Sequence, residues 1–401
     1  MVPRAGIRAL PGRHRSHGPG AGPALPPGPV TAGGAAQDCI GPAKPDLTWA
    51  IPGLPASLTP GDRAVPTVRT TTRFPSNLVS VRDLTSDHVH ALFQTAEDLR
   101  GMSHRERRHI LDGTILGIMF FQPSTRTRLG FEAAAMRLGG QVLGFADPAT
   151  TRAVEFTAET LEDTAKVVGN LCDIAVMRHF VPGSARRAAA VCSVPLINGG
   201  DGSNEHPTQA LSDVWLMSRR LGGLHGAVIG IVGDPGTRVF RSLLLLLAGM
   251  GVGKILFLVP PVLPFGLVGG TDFVHTSLPE DLHKALNRHG VGMEFRSTID
   301  ELLEECDAIE MMPVDIPSLE ADPKSLQKHG HATPERFRMT AEKIDRTGSK
   351  ALILHPGPRS DELHSDTDGL DNSLYFEQAS ESVYLRMAVM TSLLRESVSG
   401  Q

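Results

Sequence analysis

From Thr114 onward the chain alternates short, wholly apolar runs with segments of helical spacing, and that order constrains the fold more than any other feature. The runs "TILGIMFF", "GQVLGF", "DIAVMR" and "VPLINGG" are short and continuous, which predicts buried strands. Between them "ETLEDTAKVVGNL" carries helical periodicity, and "HPTQALSDVWLMSRRL" follows as a second helix. A further series then runs strand "AVIGIVG", helix "RVFRSLLLLLAGMG", strands "KILFLV" and "VGMEFR", helix "IDELLEEC", and strands "AIEMM" and "ALILHP". The helical "ESVYLRMAVMTSLLRES" closes it. Continuous apolar strands alternating with helices predict an α/β protein of two βαβ domains, with parallel sheets covered on both faces. The break falls near residues 208–226.

Residues 1–72 are rich in Pro, Gly and Ala without periodicity and read as a disordered extension. Arg4, Arg8, Arg13 and Arg15 lie there, but no apolar core of a secretory signal accompanies them, so a cytoplasmic protein is expected. Order begins near "NLVSVRDLTSDHVHALFQTAEDL", where Thr85 or Ser86 can cap a helix carrying Val89, Leu92 and Ala96 on one face. This places a first domain at 73–208, completed by a C-terminal helix within 370–401, and a second at 209–369. The apolar stretch "SLLLLLAGMG" is too short to span a membrane. Lys and Arg total 39 against 44 Asp and Glu, a net charge of −5, which argues against a nucleic-acid surface. A small anion site needs only a few local cations. The 4 cysteines, Cys39, Cys172, Cys192 and Cys306, lie far apart and fit buried thiols better than a zinc site or disulfide framework.

Five clusters carry chemistry. In "FFQPSTRTRLGFE" a buried strand gives way to a helix start, so Ser124, Thr125, Arg126 and Thr127 sit where free backbone N–H groups and the helix dipole favour an anion. The alternative is an ordinary Ser/Thr cap with solvated arginines. The spacing of a P-loop is absent. Arg178 and His179 end a strand in "VMRH", where open α/β sheets bind ligands; a surface ion pair is the competing reading for Arg178. In "GDGSNEHPTQALSD", His206 precedes Pro207 and Gln209 lies in the first helical turn, an imidazole and an amide suited to polarising a carbonyl and holding an NH2 group. In "GDPGTRVFRSL", Arg238 could hold a carboxylate while Arg241 could equally be solvated, and GxGxxG is missing. Finally "HPGPRSDEL" is an extended loop after a strand, able to offer backbone carbonyls to an amide.

Taken in this order, the clusters resemble the aspartate/ornithine carbamoyltransferase family, most closely its aspartate branch, over residues 75–398; "ETLEDT" and "YFEQASESVYLRMAV" add to the match. The resemblance implies carbamoyl transfer from carbamoyl phosphate to an amine, without metal or organic cofactor, by a homotrimer whose subunits share active sites. It implies that Ser124, Thr125, Arg126 and Thr127 hold the phosphate. Thr127, Arg178 and His206 would contact the carbamoyl oxygen, and Gln209 with the carbonyls of Gly357 and Pro358 its NH2. Arg238 would grip the acceptor's carboxylate. On this pattern residues 73–208 would bind carbamoyl phosphate and 209–369 the acceptor. The ornithine signatures DxxxSMG and HCLP are missing.

Two departures bear on the acceptor. The aspartate branch supplies a neighbouring-subunit lysine just before "ETLxDT", whereas "DPATTRAVEFTAETLEDT" has none; Thr157 is the nearest match and Arg152 the only substitute. After "DAIEM" that branch has a basic residue and then a glutamine, whereas this chain has Pro313 and Asp315. An unpaired buried carboxylate costs several kcal/mol. The expectation is therefore an acceptor that keeps one carboxylate but is not simply L-aspartate, with Asp315 facing an amino or other cationic group. One alternative is a genuine aspartate carbamoyltransferase of pyrimidine biosynthesis, and a non-catalytic paralogue that keeps the binding half is the alternative from another class. A nucleotide-binding oxidoreductase on the second βαβ series is a weaker one.

Overall fold

Each apolar run becomes a strand, and each lies inside a parallel sheet. The computed structural model describes residues 72–152, 159–262, 274–275, 278–314 and 333–399. In the first half, β1 (Ile115–Phe120), β2 (Gln141–Phe145), β3 (Ile174–His179) and β4 (Leu196–Asp201) form a sheet in the order β2-β1-β3-β4. All its pairings are parallel, with Leu116 opposite Val142 on one side and Ile174 on the other. In the second half, β5 (Val228–Val232), β6 (Lys254–Leu258), β9 (Gly292–Phe295), β10 (Ala308–Met311) and β11 (Leu352–Leu354) form a parallel sheet ordered β11-β10-β5-β6-β9. A short antiparallel pair, β7 (Pro261–Val262) and β8 (Val274–His275), stands apart. The α/β class with parallel sheets is thus the observed one.

Helices cover both sheets. Thr85 caps α1 (Ser86–Gly101), its hydroxyl accepting from the His88 N–H, and Val89, Leu92, Phe93, Ala96 and Leu99 are buried along one face. The short α2 (His104–Arg107) follows, then α3 (Thr125–Arg137), α4 (Leu161–Gly169) and α5 (Ser184–Ala189). α6 (Pro207–Leu221) joins the two halves: Pro207 takes its first position, where the missing N–H costs nothing, and Gly222 ends it at φ 74°. Next come α7 (Arg238–Gly249), α8 (Glu280–Arg288), α9 (Ile299–Glu305) and α10 (Ala341–Thr347). The last helix, α11 (Tyr375–Ser399), packs on α1, α3 and α6, burying Leu385, Met387, Ala388, Val389 and Met390. Burying each such side chain contributes about 1.5–3 kcal/mol.

Sequence periodicity missed α2, α5, α8 and α10, all of nine residues or fewer. In α8, "EDLHKALNR", Leu282 and Leu286 do share one buried face, but the stripe spans a single helical turn.

Candidate active site

Both sheets change strand direction of order at their centres, between β1 and β3 and between β5 and β10, and the ends of these strands face one cavity of about 790 Å³. Three helix starts meet there. Ser124 caps α3, its hydroxyl accepting the Thr127 N–H at 3.3 Å, which leaves its own O–H free to donate outward. Thr237 precedes α7 without a side-chain cap bond, which leaves that helix's first N–H groups open, whereas at α6 Pro207 has no N–H and the Gln209 N–H donates to the His206 carbonyl at 3.1 Å, so that start offers the Thr208 N–H.

The cations are held in place by aromatic and backbone partners. Arg126 lies 4.9 Å over the Tyr375 ring, donates to its hydroxyl, and passes directly against Gly357. A Cβ on Gly357 would fall 2.2 Å from the Arg126 Cζ, and its φ of +73° also favours glycine. Arg238 donates to the Gly202 carbonyl at 2.9 Å and more loosely to Gln122 Oε1 at 3.4 Å. Burial lowers the Arg238 pKa, with Asp201 pulling the other way. Arg178 reaches the Gly199 carbonyl at 3.5 Å; burial, and then Arg238 nearby, lower its pKa to about 10. It is still charged at neutral pH. Gly200, at φ +113°, makes room for the group: a Cβ there would lie 3.2 Å from both Arg238 and His206.

His206 is buried, at 3% exposure. Its backbone N–H donates to Ser242 Oγ at 3.0 Å, and Ser242 in turn donates to buried Glu205. Its Nε2 lies 3.3 Å from Thr127 Oγ1, while Nδ1 is buried without a partner among the described residues. Burial first, then Arg178, Arg238 and Arg386, push its pKa well below 6.5. The imidazole is therefore neutral, suited to donating a hydrogen bond without carrying charge.

Ser124, Thr125, Arg126, Thr127, Arg178, His206, Gln209, Arg238, Gly357 and Pro358 all line this one cavity. Asp315 and Thr157 lie outside the described residues. Arg241 turns away from the cavity and pairs with Asp281 at 2.7 Å. Sequence reasoning missed Phe180, Ser203, Thr237 and Met312 in the wall, and Tyr375 behind Arg126. Among the described lining residues there is no Asp, Glu or Lys. Among all described residues, no group of His, Cys, Asp and Glu is placed to hold a metal ion.

Parallel sheets whose strand ends share a cleft lined by arginines, with no acidic side chain among its described residues, define an α/β protein with an anion-binding site. Residues 76–219 match the family described as aspartate/ornithine carbamoyltransferase, carbamoyl-P binding domain, and residues 225–393 match its Asp/Orn binding domain. The chain is 36% identical over 329 residues to the chloroplastic aspartate carbamoyltransferase of Oryza sativa subsp. japonica, covering 79% of this chain and 85% of that protein. It is 34% identical to the aspartate carbamoyltransferase catalytic subunit of Methanothermobacter thermautotrophicus, covering 80% and 96%. Among solved structures, the catalytic subunit of M. jannaschii aspartate transcarbamoylase matches with a TM-score of 0.69 at 30% identity, over 82% of this chain and all of that one. The Trypanosoma cruzi aspartate transcarbamoylase in complex with carbamoyl phosphate and aspartate matches at 0.64 and 27%, over 79% and 95%. The chain belongs to the aspartate/ornithine carbamoyltransferase family, and it is a carbamoyltransferase.

Proposed function

We propose that the protein transfers the carbamoyl group of carbamoyl phosphate to the α-amino group of L-aspartate. The observation that carries this reading is the meeting of three arginines and three helix N-termini in a cavity whose described lining holds no acidic side chain. That field suits a phosphate and two carboxylates together. The relatives' shared activity on aspartate points the same way.

In this reading the α3 start and Arg126 hold the phosphate, Arg126 as a planar fork stacked on Tyr375. The neutral amine attacks the carbonyl carbon, a C–N bond forms and negative charge moves to the carbonyl oxygen. Thr127, Arg178 and neutral His206 stabilise that oxyanion. The carbon–oxygen bond to phosphate then breaks, and the proton lost by the new amide nitrogen passes to the departing phosphate. Arg238 holds an acceptor carboxylate. A homotrimer is part of the proposal; exposed Leu129 and Met136 on α3 support a subunit contact there.

One observation favours a second reading. Past β10 the cavity is lined by Met312, and Pro313 follows it in the chain, neither able to pair a carboxylate. An acceptor with one carboxylate would suit that wall. Steady-state assays with carbamoyl phosphate and a panel of amines decide: L-aspartate should be the best substrate. If another amino acid is turned over and aspartate is not, the second reading replaces the first. If carbamoyl phosphate neither reacts nor raises the melting temperature, both fall.

A further inference from the structure

Behind the cavity lies a buried polar cluster that the transfer chemistry does not use. Gln209 Nε2 donates to Asp213 Oδ1 at 2.8 Å. Gln378, on α11, donates to the same oxygen at 2.6 Å and to Glu310 Oε1, on β10, at 3.2 Å. Its own carbonyl accepts the His355 backbone N–H at 2.9 Å. Both N–H donors and one carbonyl lone pair of the Gln378 amide are thereby engaged, which sets the amide's orientation. His355 Nδ1 in turn accepts the Gly357 N–H at 2.8 Å. Asp213 and Glu310 are fully buried at 0% exposure.

The direction of these bonds matters for the cavity. With its NH2 tied to Asp213, Gln209 must present its Oε1 elsewhere, and no described residue donates to that atom. With the Gly357 N–H turned inward to His355, the Gly357 and Pro358 carbonyls are likewise free of described donors. All three free acceptors belong to residues lining the cavity. We propose that Asp213 and Gln378 are positioning residues that aim these acceptors at the carbamoyl NH2, so that the site selects an N–H-bearing acyl phosphate over one lacking it. This rests on the carbamoyl-phosphate reading above and assigns its selectivity to residues that never touch the ligand.

Packing alone is a poor account of the cluster. Two buried carboxyls carry a desolvation cost that apolar side chains of similar volume avoid. Burial pushes Asp213 up to about 7 and Glu310 well above the usual carboxylate range, against the hydrogen bonds from the glutamines. What a carboxyl supplies here, and leucine cannot, is an oxygen that fixes the direction of both amides.

The test compares carbamoyl phosphate with acetyl phosphate, in which a methyl group replaces the NH2, using the full chain. Wild type should bind carbamoyl phosphate much more tightly. Asp213→Leu should weaken carbamoyl phosphate about 10-fold or more, the effect of one mis-aimed buried hydrogen bond, and leave acetyl phosphate within about twofold. Asp213→Asn, which keeps an acceptor oxygen, should restore most of the preference. If Asp213→Leu does not fold, Gln378→Leu reads the same ratio. Equal weakening of both ligands means a structural role and overturns the proposal. A wild-type protein that binds neither ligand overturns the carbamoyl-phosphate reading itself, a separately visible result.

Discussion

Replacing His206 by alanine separates the chemistry from the architecture. The imidazole is 3% exposed, neutral, and bound on one side only, 3.3 Å from Thr127 Oγ1. If it donates to the carbamoyl oxygen as charge builds there, its loss removes one donor from a water-poor site, worth about 10²–10³ in kcat. Arg178, still charged, remains in the same wall, so about 10² is expected. The interaction grows in the transition state, so kcat and kcat/KM should fall together with KM nearly constant, measured by carbamoyl-product formation. A second readout comes from linkage. The unfolded chain protonates this histidine near 6.5, whereas the folded chain resists because burial and three arginines disfavour the cation. The folded pKa is depressed, so stability is complete above about pH 6.5 and declines as pH falls below it. The loss grows steadily as pH falls further below 6.5. His206→Ala should remove that part of the acid slope in urea titrations, leaving the parts due to His179 and His355, whose pKa values burial also lowers. A kcat loss below tenfold with a raised KM, or an unchanged acid slope, would refute the reasoning.

Two further outcomes are expected. Arg126→Lys keeps the charge but loses the fork and the stacking on Tyr375; kcat/KM for carbamoyl phosphate should fall about 10- to 100-fold, from the roughly 1.5–3 kcal/mol of one charge-assisted hydrogen bond, while the melting temperature holds. In Glu362, burial raises the pKa, but hydrogen bonds from His355, the Ser360 hydroxyl and the Ser360 N–H outweigh it and bring it to about 2. A depressed carboxylate contributes stability above about 4.5 that is lost as pH falls toward 2, so Glu362→Gln should flatten that acid limb in thermal melts while costing of order 2 kcal/mol at pH 7.

Much of this was legible in the sequence because it rests on local patterns. Short apolar runs such as "ILGIMF", bounded by turn residues and rich in Ile, fit interior strands, and Ser124 two residues before Arg126 marks a helix start with cations at a strand end. What stayed hidden depends on partners far along the chain. Glu310 reads as one polar residue in the strand "AIEM", and only the fold sets it against Gln378, 68 positions away. A carboxylate inside an apolar run was the available signal, together with Asp213 one helical turn beyond Gln209. The acceptor side was harder still, since Asp315 lies outside the described residues and Pro313 speaks only through what it cannot bind.

The cationic lining of the cavity, with no acidic side chain among its described residues, has a consequence for turnover. If the α3 start and Arg126 hold the phosphoryl group as proposed, they are expected to hold inorganic phosphate by the same means once the carbamoyl group has left. Escape of the spent anion then competes with chemistry as the slow step. Phosphate, sulfate and other multivalent anions occupy the same trap, and rising ionic strength weakens its pull on every one of them. The buffer in which this enzyme is assayed is therefore one of its ligands.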